Sequence, residues 1–185
     1  MEKFEEIEQT ITKRFRKEIW KMFVKGISEY EMIQDGDKIA VCISGGKDSM
    51  LLAKCIQQLK KISNVPSEAE YIVMDPGYNQ KNRERIIENA KILGVPIHIF
   101  ESNIFSVVAN GEGTPCYLCA KMRRGALNQA ILDMGFTKLA LGHHYDDAVA
   151  ISEEYEHVPM VQVPGNCDRY RCPPDQPEIF ICLCF

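Results

Sequence analysis

The stretch of residues 38–49, KIAVCISGGKDS, decides the fold of this chain. Its apolar first half predicts a buried strand, Lys38–Ile43, and its second half predicts a glycine turn that opens a helix reaching about Lys61. Glycines let a backbone approach an anion because no Cβ blocks the way. The helix start directs free N–H groups and the positive end of its dipole to the same place. The stretch therefore predicts a phosphate-binding loop, although a plain turn between strand and helix would use some of the same residues.

The side chains of this loop suit a nucleotide. Gly45 and Gly46 supply the close backbone approach, while Ser44, Lys47 and Ser49 can donate hydrogen bonds to phosphate oxygens. Asp48 can hold Mg²⁺ through its carboxylate, and that ion would accompany ATP. The spacing differs from a Walker A loop, which needs four residues between its first glycine and Gly-Lys-Ser/Thr.

The pattern around the loop predicts an α/β fold with a parallel sheet covered by helices on both faces. Further strands are predicted at Tyr71–Met74, Val95–Phe100 and Lys138–Gly142, and helices at 80–93 and 117–134. In such sheets ligands bind beyond the carboxyl ends of the strands. Asp75 follows the second strand and Gly142 ends the fourth, so both are predicted to share one nucleotide site with the loop.

A polar cluster follows the fourth strand. His143, Asp146 and Asp147 combine an imidazole with two carboxylates just beyond Gly142. The carboxylates, together with Asp48, are candidates for holding the magnesium ion of ATP, and the histidine for proton transfer or a phosphate contact. The alternative is that one of the two aspartates merely caps a helix.

Cys116 and Cys119 form a CxxC pair at a predicted helix start, where both thiolates face one side and can share a metal. Redox chemistry and simple burial are the alternatives. The basic residues Lys121, Arg123 and Arg124 follow directly and predict contact with a nucleic acid backbone. Two further cysteines, Cys42 and Cys55, and also His98, are interpreted as core residues because apolar residues surround them in sequence.

Residues 1–30 are predicted to form an amphipathic N-terminal helix, because apolar residues recur there at three- and four-residue spacing. Its polar side is rich in positive charge. We interpret that side as a solvated face rather than an RNA contact, although both remain open. The basic residues are Lys13, Arg14, Arg16, Lys17, Lys21 and Lys25.

Length and composition bound the remaining organisation. The 185 residues predict one nucleotide-binding domain over 31–150, preceded by the helix of 1–30 and followed by an irregular, cysteine- and proline-rich tail over 151–185. No apolar run approaches the ~18 residues of a membrane span, and the charged start lacks a secretory signal. We therefore expect a cytoplasmic protein with no membrane partner. The net charge of −4 does not itself indicate a nucleic acid.

Four segments taken together resemble one family. They are the loop SGGKDS at 44–49, DPGYN at 75–79, CYLCAKMRRG at 116–125 and GHHYDD at 142–147. Over about residues 1–147 the chain resembles the tRNA 2-thiocytidine synthetases and related lysidine-synthase-like members of the PP-loop ATP pyrophosphatase superfamily, whose fold is that of the adenine nucleotide alpha hydrolases. The resemblance implies an ATP-dependent tRNA sulfur transferase, which adenylates a tRNA cytidine at C2 and replaces the activated oxygen by sulfur. It assigns Cys116 and Cys119 to a [4Fe–4S] cluster that carries sulfide, with tRNA and a cysteine-desulfurase-like sulfur donor as partners.

The resemblance ends after about residue 147. Cys167, Cys172, Cys182 and Cys184 of the tail offer candidates for a third cluster ligand, but their spacing does not match the family. We therefore favour a truncated or shifted reading frame for this part. Two other functions stay open: a different PP-loop ligase such as a lysidine synthase, and a non-catalytic ATP-binding remnant. The sequence also leaves homodimerisation open.

Overall fold

A computed structural model describes residues 2–105, 115–142, 160–163, 167–170 and 178–181. The strands are β1 (Asp37–Cys42), β2 (Ser67–Asp75), β3 (Ile97–Glu101), β4 (Lys138–Leu141), β5 (Met160–Val163), β6 (Cys167–Tyr170) and β7 (Glu178–Ile181). The α-helices are α1 (Lys3–Gln9), α2 (Lys21–Glu29), α3 (Lys47–Ile62), α4 (Gln80–Leu93) and α5 (Pro115–Asp133). Two π-helical segments, Thr10–Arg14 and Arg16–Trp20, join α1 to α2.

The strands form one sheet in the order β3-β2-β1-β4-β7-β6-β5. The first five strands in this order are parallel, and β6 runs antiparallel to both of its neighbours, β7 and β5. The predicted parallel sheet of four strands is confirmed. Within the tail that was predicted to be irregular, three four-residue strands extend the sheet, and the rest of the tail lies outside the described residues. Each is too short, and too close to a proline, to stand out in the sequence as a strand.

Helices cover both faces of the sheet, as predicted. On one face, Ile39 and Val41 of β1 pack in a cluster with buried side chains of α2, α3 and α4. On the other, Ala40 of β1 and Leu139 of β4 pack against Ile131 of α5. Neighbouring residues of a strand point to opposite faces, so an unbroken apolar strand such as β1 serves both clusters.

The N-terminal helical segment, Lys3–Glu29, follows a strict four-residue apolar repeat. Its members are Ile7, Ile11, Phe15, Ile19, Phe23 and Ile27. In an α-helix of 3.6 residues per turn, such a row drifts by roughly 40° per repeat. A π-helix, with hydrogen bonds from i to i+5, has wider turns and rotates the row back. The π-helical hydrogen bond from Phe15 N to Thr10 O is 2.9 Å long. Mixing α and π turns thus keeps most of the apolar row facing the core, while Phe15, between the two π-helical segments, stays partly exposed.

A buried ion pair fixes this segment to the sheet helices. Lys54 of α3 is almost fully buried, and its Nζ lies 2.8 Å from Glu8 Oε1 and 2.9 Å from the carbonyl oxygen of Leu93. Lys61 Nζ lies 2.7 Å from the other oxygen of Glu8. Partial burial works to raise the pKa of Glu8, but the hydrogen bonds and charges of the two lysines outweigh it and lower that pKa. The network joins α1, α3 and the end of α4.

Three further predictions can be compared with the structure. The sequence predicts that Gly94, directly after the helix of 80–93, ends that helix, and Gly94 does end α4 in the left-handed conformation, with φ of +63°. His98 was expected in the core, which is wrong. Its side chain is exposed on β3, at the edge of the sheet, 3.8 Å from Glu70. Within the described part of the chain, no helix combines the length and apolar character needed to cross a membrane.

Candidate functional site

The carboxyl ends of β2, β1 and β4 lie side by side. The three strands are neighbours and parallel, with Val41 in register with both Tyr71 and Ala140. The loop after β1, the turn after β2 and Gly142 after β4 therefore share one edge of the sheet, as the sequence predicted. This is the edge at which parallel α/β proteins bind ligands.

Gly45 gives the loop its shape. Its φ of +84° lies in the left-handed region, which side chains other than glycine rarely adopt. A Cβ added here would lie 2.7 Å from Cγ1 of Ile86, which projects from α4. The position therefore needs glycine for two reasons, the backbone conformation and the contact with α4. Only the first of these was readable from the sequence.

Two serine hydroxyls brace the loop from inside. Ser49 is buried, and its Oγ lies 3.1 Å from Ser44 Oγ and accepts a hydrogen bond from Ser44 N at 3.2 Å. Ser49 Oγ also donates to Gly46 O at 3.0 Å, and Gly46 N donates to Ser44 Oγ at 3.3 Å. Both serines were predicted to contact phosphate. In this structure their hydroxyls instead hold the loop in shape, and their contact with a ligand stays a prediction.

The first turn of α3 presents the loop's donors to the sheet edge. Its N-cap residue is Gly46, which has no side chain to accept a hydrogen bond from the first turn. Lys47 Nζ lies 2.7 Å from Asp48 Oδ1, and the lysine side chain is 81% exposed. The exposed lysine is held only weakly by such a pair, so its ammonium group can turn toward a ligand, whereas the Asp48 side chain is half-buried. The arrangement suits an anion at the helix start and a cation beside Asp48.

Asp75 is buried at the end of β2 and is already engaged by the protein. Its Oδ1 accepts hydrogen bonds from Gly77 N at 2.9 Å and from Tyr78 N at 2.6 Å. Its Oδ2 lies 3.7 Å from Arg83 of α4. This carboxylate shapes the turn that follows β2. Its predicted contact with the cofactor remains a prediction.

Gly142 brings the end of β4 against the start of α3. A Cβ at this position would lie 2.9 Å from the backbone nitrogen of Ser49. Only glycine allows an approach this close, so Gly142 belongs to the same edge as the loop. His143, Asp146 and Asp147, which follow it in sequence, lie outside the described residues.

Helix α5 is joined to the turn after β2 through Arg123. The guanidinium Nη2 donates to the hydroxyl oxygen of Tyr78 at 3.2 Å. Tyr78 in turn packs edge to face against Phe105, with ring centroids 6.0 Å apart. Arg123 was predicted to contact nucleic acid, and no sequence pattern indicates its bond to Tyr78, 45 residues away. The same helix carries Cys116, Cys119, Lys121 and Arg124, whose side chains lie outside the described residues.

The two remaining predicted core cysteines are unreactive thiols. Cys55 is fully buried on α3, and Cys42 is half-buried at the end of β1 against the cluster that includes Ile131. Burial raises the pKa of each thiol to about 12, so both stay protonated at neutral pH. Neither can serve as a nucleophile or a metal ligand in this state.

The fold and this edge define an α/β protein of the nucleotide-binding class, with a glycine-rich loop at the edge where such proteins bind ligands. The model of the PP-loop domain family matches residues 11–152, and the chain belongs to that family. The family resemblance predicted from the sequence is confirmed.

The curated relatives reported next are named as tRNA-modifying enzymes. A tRNA-cytidine(32) 2-sulfurtransferase from Stenotrophomonas maltophilia is 42% identical over 143 residues, which are 76% of this chain and 45% of the relative. One from Bdellovibrio bacteriovorus is 40% identical over 136 residues, 71% of this chain and 51% of the relative. The chain thus spans about half the length of the curated relatives it matches.

A solved structure shares the fold. The U34-tRNA thiolase NcsA from Methanococcus maripaludis, determined with its [4Fe–4S] cluster, has a TM-score of 0.60 and 20% identity. The match covers 88% of this chain and 59% of that one. At this identity the likeness supports the architecture alone.

Proposed function

We propose that this chain carries the ATP-dependent half of a tRNA sulfurtransferase. The observation that carries the proposal is the loop after β1, with its left-handed Gly45 and the N-terminus of α3 at the ligand-binding edge. The 40–42% identity to tRNA-cytidine(32) 2-sulfurtransferases supports the choice of reaction. The substrate would be a cytidine of tRNA, and the product a 2-thiocytidine.

The reaction would proceed in two displacements. The C2 oxygen of the cytidine attacks the α-phosphorus of ATP, and pyrophosphate leaves. A sulfide then attacks C2, and the activated oxygen leaves with AMP. The loop backbone around Gly45 and Gly46 and the first turn of α3 would stabilise the phosphate charge. Lys47 would neutralise phosphate oxygens, and Asp48 would hold Mg²⁺ together with Asp146 and Asp147.

The CxxC pair would hold the iron–sulfur cluster. Helix α5 places positions 116 and 119 one turn apart, so they share a face of the helix. Cys116 and Cys119 would supply two thiolate ligands. When bound, the cluster would supply the sulfide, and a cysteine-desulfurase-like donor would replenish it with persulfide sulfur that a thiol reductant reduces to sulfide by two electrons. The CxxC pair favours thiolation over a lysidine-type ligation, because amine transfer requires no cluster.

The tRNA would approach along α5. Lys121 and Arg124 would contact its phosphates near the CxxC pair, and Arg123 would hold α5 against Tyr78. His143 would take part in proton transfer at the base. The unpaired thiols Cys42 and Cys55 fit a reducing compartment, so we place the reaction in the cytoplasm.

The test combines binding with product analysis. Asp48→Asn should weaken Mg²⁺-dependent ATP binding by at least about tenfold, or about 1.4 kcal/mol. Glu88→Gln, the same change at an exposed site on α4, should leave ATP affinity unchanged. After incubation of anaerobically reconstituted protein with ATP, sulfide and a tRNA transcript, nucleoside mass spectrometry should detect 2-thiocytidine. Unchanged ATP affinity in Asp48→Asn would contradict the loop's role, and an amine adduct in place of sulfur would identify a ligase.

A further inference from the structure

The N-terminal helical segment carries a second four-residue repeat, made of lysines. We call Lys13, Lys17, Lys21 and Lys25 the basic row. All four side chains are exposed. The basic row is offset by two residues from the apolar row that includes Ile11, Phe15, Ile19 and Phe23. In a segment that repeats every four residues, an offset of two places the rows on opposite sides. The basic row therefore faces away from the core.

The π-helical turns align the lysines as well as the apolar residues. In a regular α-helix the lysines would wind around the surface by roughly 40° per repeat. Because the two π-helical segments precede α2 here and offset its drift, the lysines stay close to one line on the order of 15 Å long. π-helical turns are rare, and those that occur are often found at functional sites.

The charge of this segment sets it apart from an ordinary solvated helix face. Thr10–Lys25 contains six basic residues and one acidic residue, Glu18, in a chain whose net charge is −4. Solvated faces usually pair opposite charges at i and i+4, whereas lysines at that spacing repel each other and destabilise the helix. Opposite charges stand at this spacing in two places: Lys25 with Glu29, 3.6 Å apart, and Arg14 with Glu18, whereas Lys13 lies 3.4 Å from Gln9 Oε1. A row of one sign is the pattern expected of a surface that meets a polyanion.

A membrane surface fits this segment poorly as the polyanion. A basic amphipathic helix binds a bilayer by inserting its apolar face. Here that face is used for folding, since Ile11, Trp20, Phe23 and Ile27 are buried. One aromatic ring stays partly exposed beside the basic residues. Phe15 is 39% exposed, with the guanidinium of Arg14 5.3 Å from its ring centroid. A ring in this setting can stack on an unpaired base.

We propose that the basic row binds the phosphate backbone of the substrate RNA, at a place separate from the catalytic edge. This inference rests on the proposed function for the identity of the RNA. The row is fixed relative to the nucleotide loop, because Glu8 of α1 is bonded to Lys54 and Lys61 of α3, the helix that begins in the loop. Binding along the row would thus hold the tRNA in a set position relative to the loop, without reading its sequence.

The experiment compares two triple variants of equal charge. The first is Lys13→Gln/Lys17→Gln/Lys21→Gln. The control is Lys60→Gln/Lys81→Gln/Lys91→Gln, three exposed lysines on α3 and α4. An unmodified tRNA transcript is titrated against each protein without ATP, at several salt concentrations, and thermal melting and ATP affinity are measured in parallel.

We expect the first variant to bind tRNA at least tenfold more weakly at low salt, with the slope of log affinity against log salt reduced by about one for each lost phosphate contact. The control should behave like the wild type, and ATP affinity should be unchanged in both variants. If the wild type binds tRNA and the first variant binds it equally at every salt, the inference is overturned and the proposed function stands. An equal loss in the control would also overturn it. If the wild type itself does not bind tRNA, the proposed function fails, and the inference fails with it.

Discussion

The polar groups of α3 differ between its first turn, where they are accessible to a ligand, and its middle, where they are buried and paired. At the start, Gly46 offers no side-chain cap, and Lys47 is exposed beside the half-buried Asp48 at the sheet edge. Two turns on, Lys54 is buried with three oxygen partners, from Glu8, Gln57 and Leu93. One helix thus combines an end with donors open to a ligand and a middle whose buried charge is fully paired. The first is a feature of binding, and the second is a feature of folding.

We expect the largest effect on stability from removing the buried charge of Lys54 in the middle of α3. Lys54→Met should lower the free energy of unfolding by about 3 kcal/mol, because Glu8 and the Leu93 carbonyl lose their buried partner. Lys61→Met removes the exposed partner of the same carboxylate and should cost less than about 1 kcal/mol. Urea unfolding of both variants checks the contrast. Equal losses would show that burial does not distinguish the two lysines.

A substitution at the open end should affect both stability and binding. Gly45→Ala places a Cβ 2.7 Å from Ile86 and forces a side chain into the left-handed region, at a combined cost of about 2–4 kcal/mol. ATP binding should fall with it, because the loop must shift. Gly36→Ala is the matched control, with φ of +81° and no atom within 4 Å of the added Cβ.

The Gly36 variant should therefore show only the conformational cost, about 1–2 kcal/mol, and normal ATP affinity. Denaturant titration and calorimetry measure the two quantities. If both glycine variants lose equal stability and both bind ATP normally, the contact with Ile86 does not shape the loop.

Arg123 can either support the fold through its bond to Tyr78 or contact RNA directly. Its bond to Tyr78 predicts that Tyr78→Phe and Arg123→Gln both slow thiolation by a similar factor, with less than about 1.5 kcal/mol lost in stability. Tyr78→Phe should leave the salt dependence of tRNA binding unchanged. Arg124→Gln should reduce that slope by about one. A normal rate in Tyr78→Phe with a reduced slope in Arg123→Gln would place Arg123 among the RNA contacts.

The smallest effect concerns pH. The pKa of Glu8 is lowered in the folded protein from its ordinary value of 4.5. A lowered pKa means that the folded state binds its proton less readily, so Glu8 contributes stability above the ordinary pKa and loses it as pH falls through the folded pKa. The stability gap between wild type and Glu8→Gln should therefore be largest near neutral pH and shrink below about pH 4. Urea unfolding at pH 7 and pH 3.5 measures both gaps.

The local elements were predictable because their signals lie within a few residues. The loop Ser44–Ser49 and the Gly94 helix end each depend on one turn of chain, and both were identified from sequence. The bounds of α3 and α4 also agree within two residues with the prediction. The three sheet-edge segments were predicted together because strand order and handedness follow from alternating strands and helices.

The long-range pairs were not predictable in this way. Lys54 and Glu8 are 46 residues apart, and each alone resembles an ordinary surface charge on a helix. The engagement of Asp75 by its own turn was missed because an aspartate after a strand has the same sequence signature whether it binds a ligand or a backbone N–H group. His98 was misplaced because β3 looks like an inner strand until its edge position is known.

The close contact at Gly142 couples the end of β4 to the start of α3. The end of β4 and the first turn of α3 meet with no side chain between them. No space is left between them for a side chain, and even a methyl group would push them apart. The end of β4 therefore cannot move toward α3 unless the start of that helix, and the loop before it, moves as well.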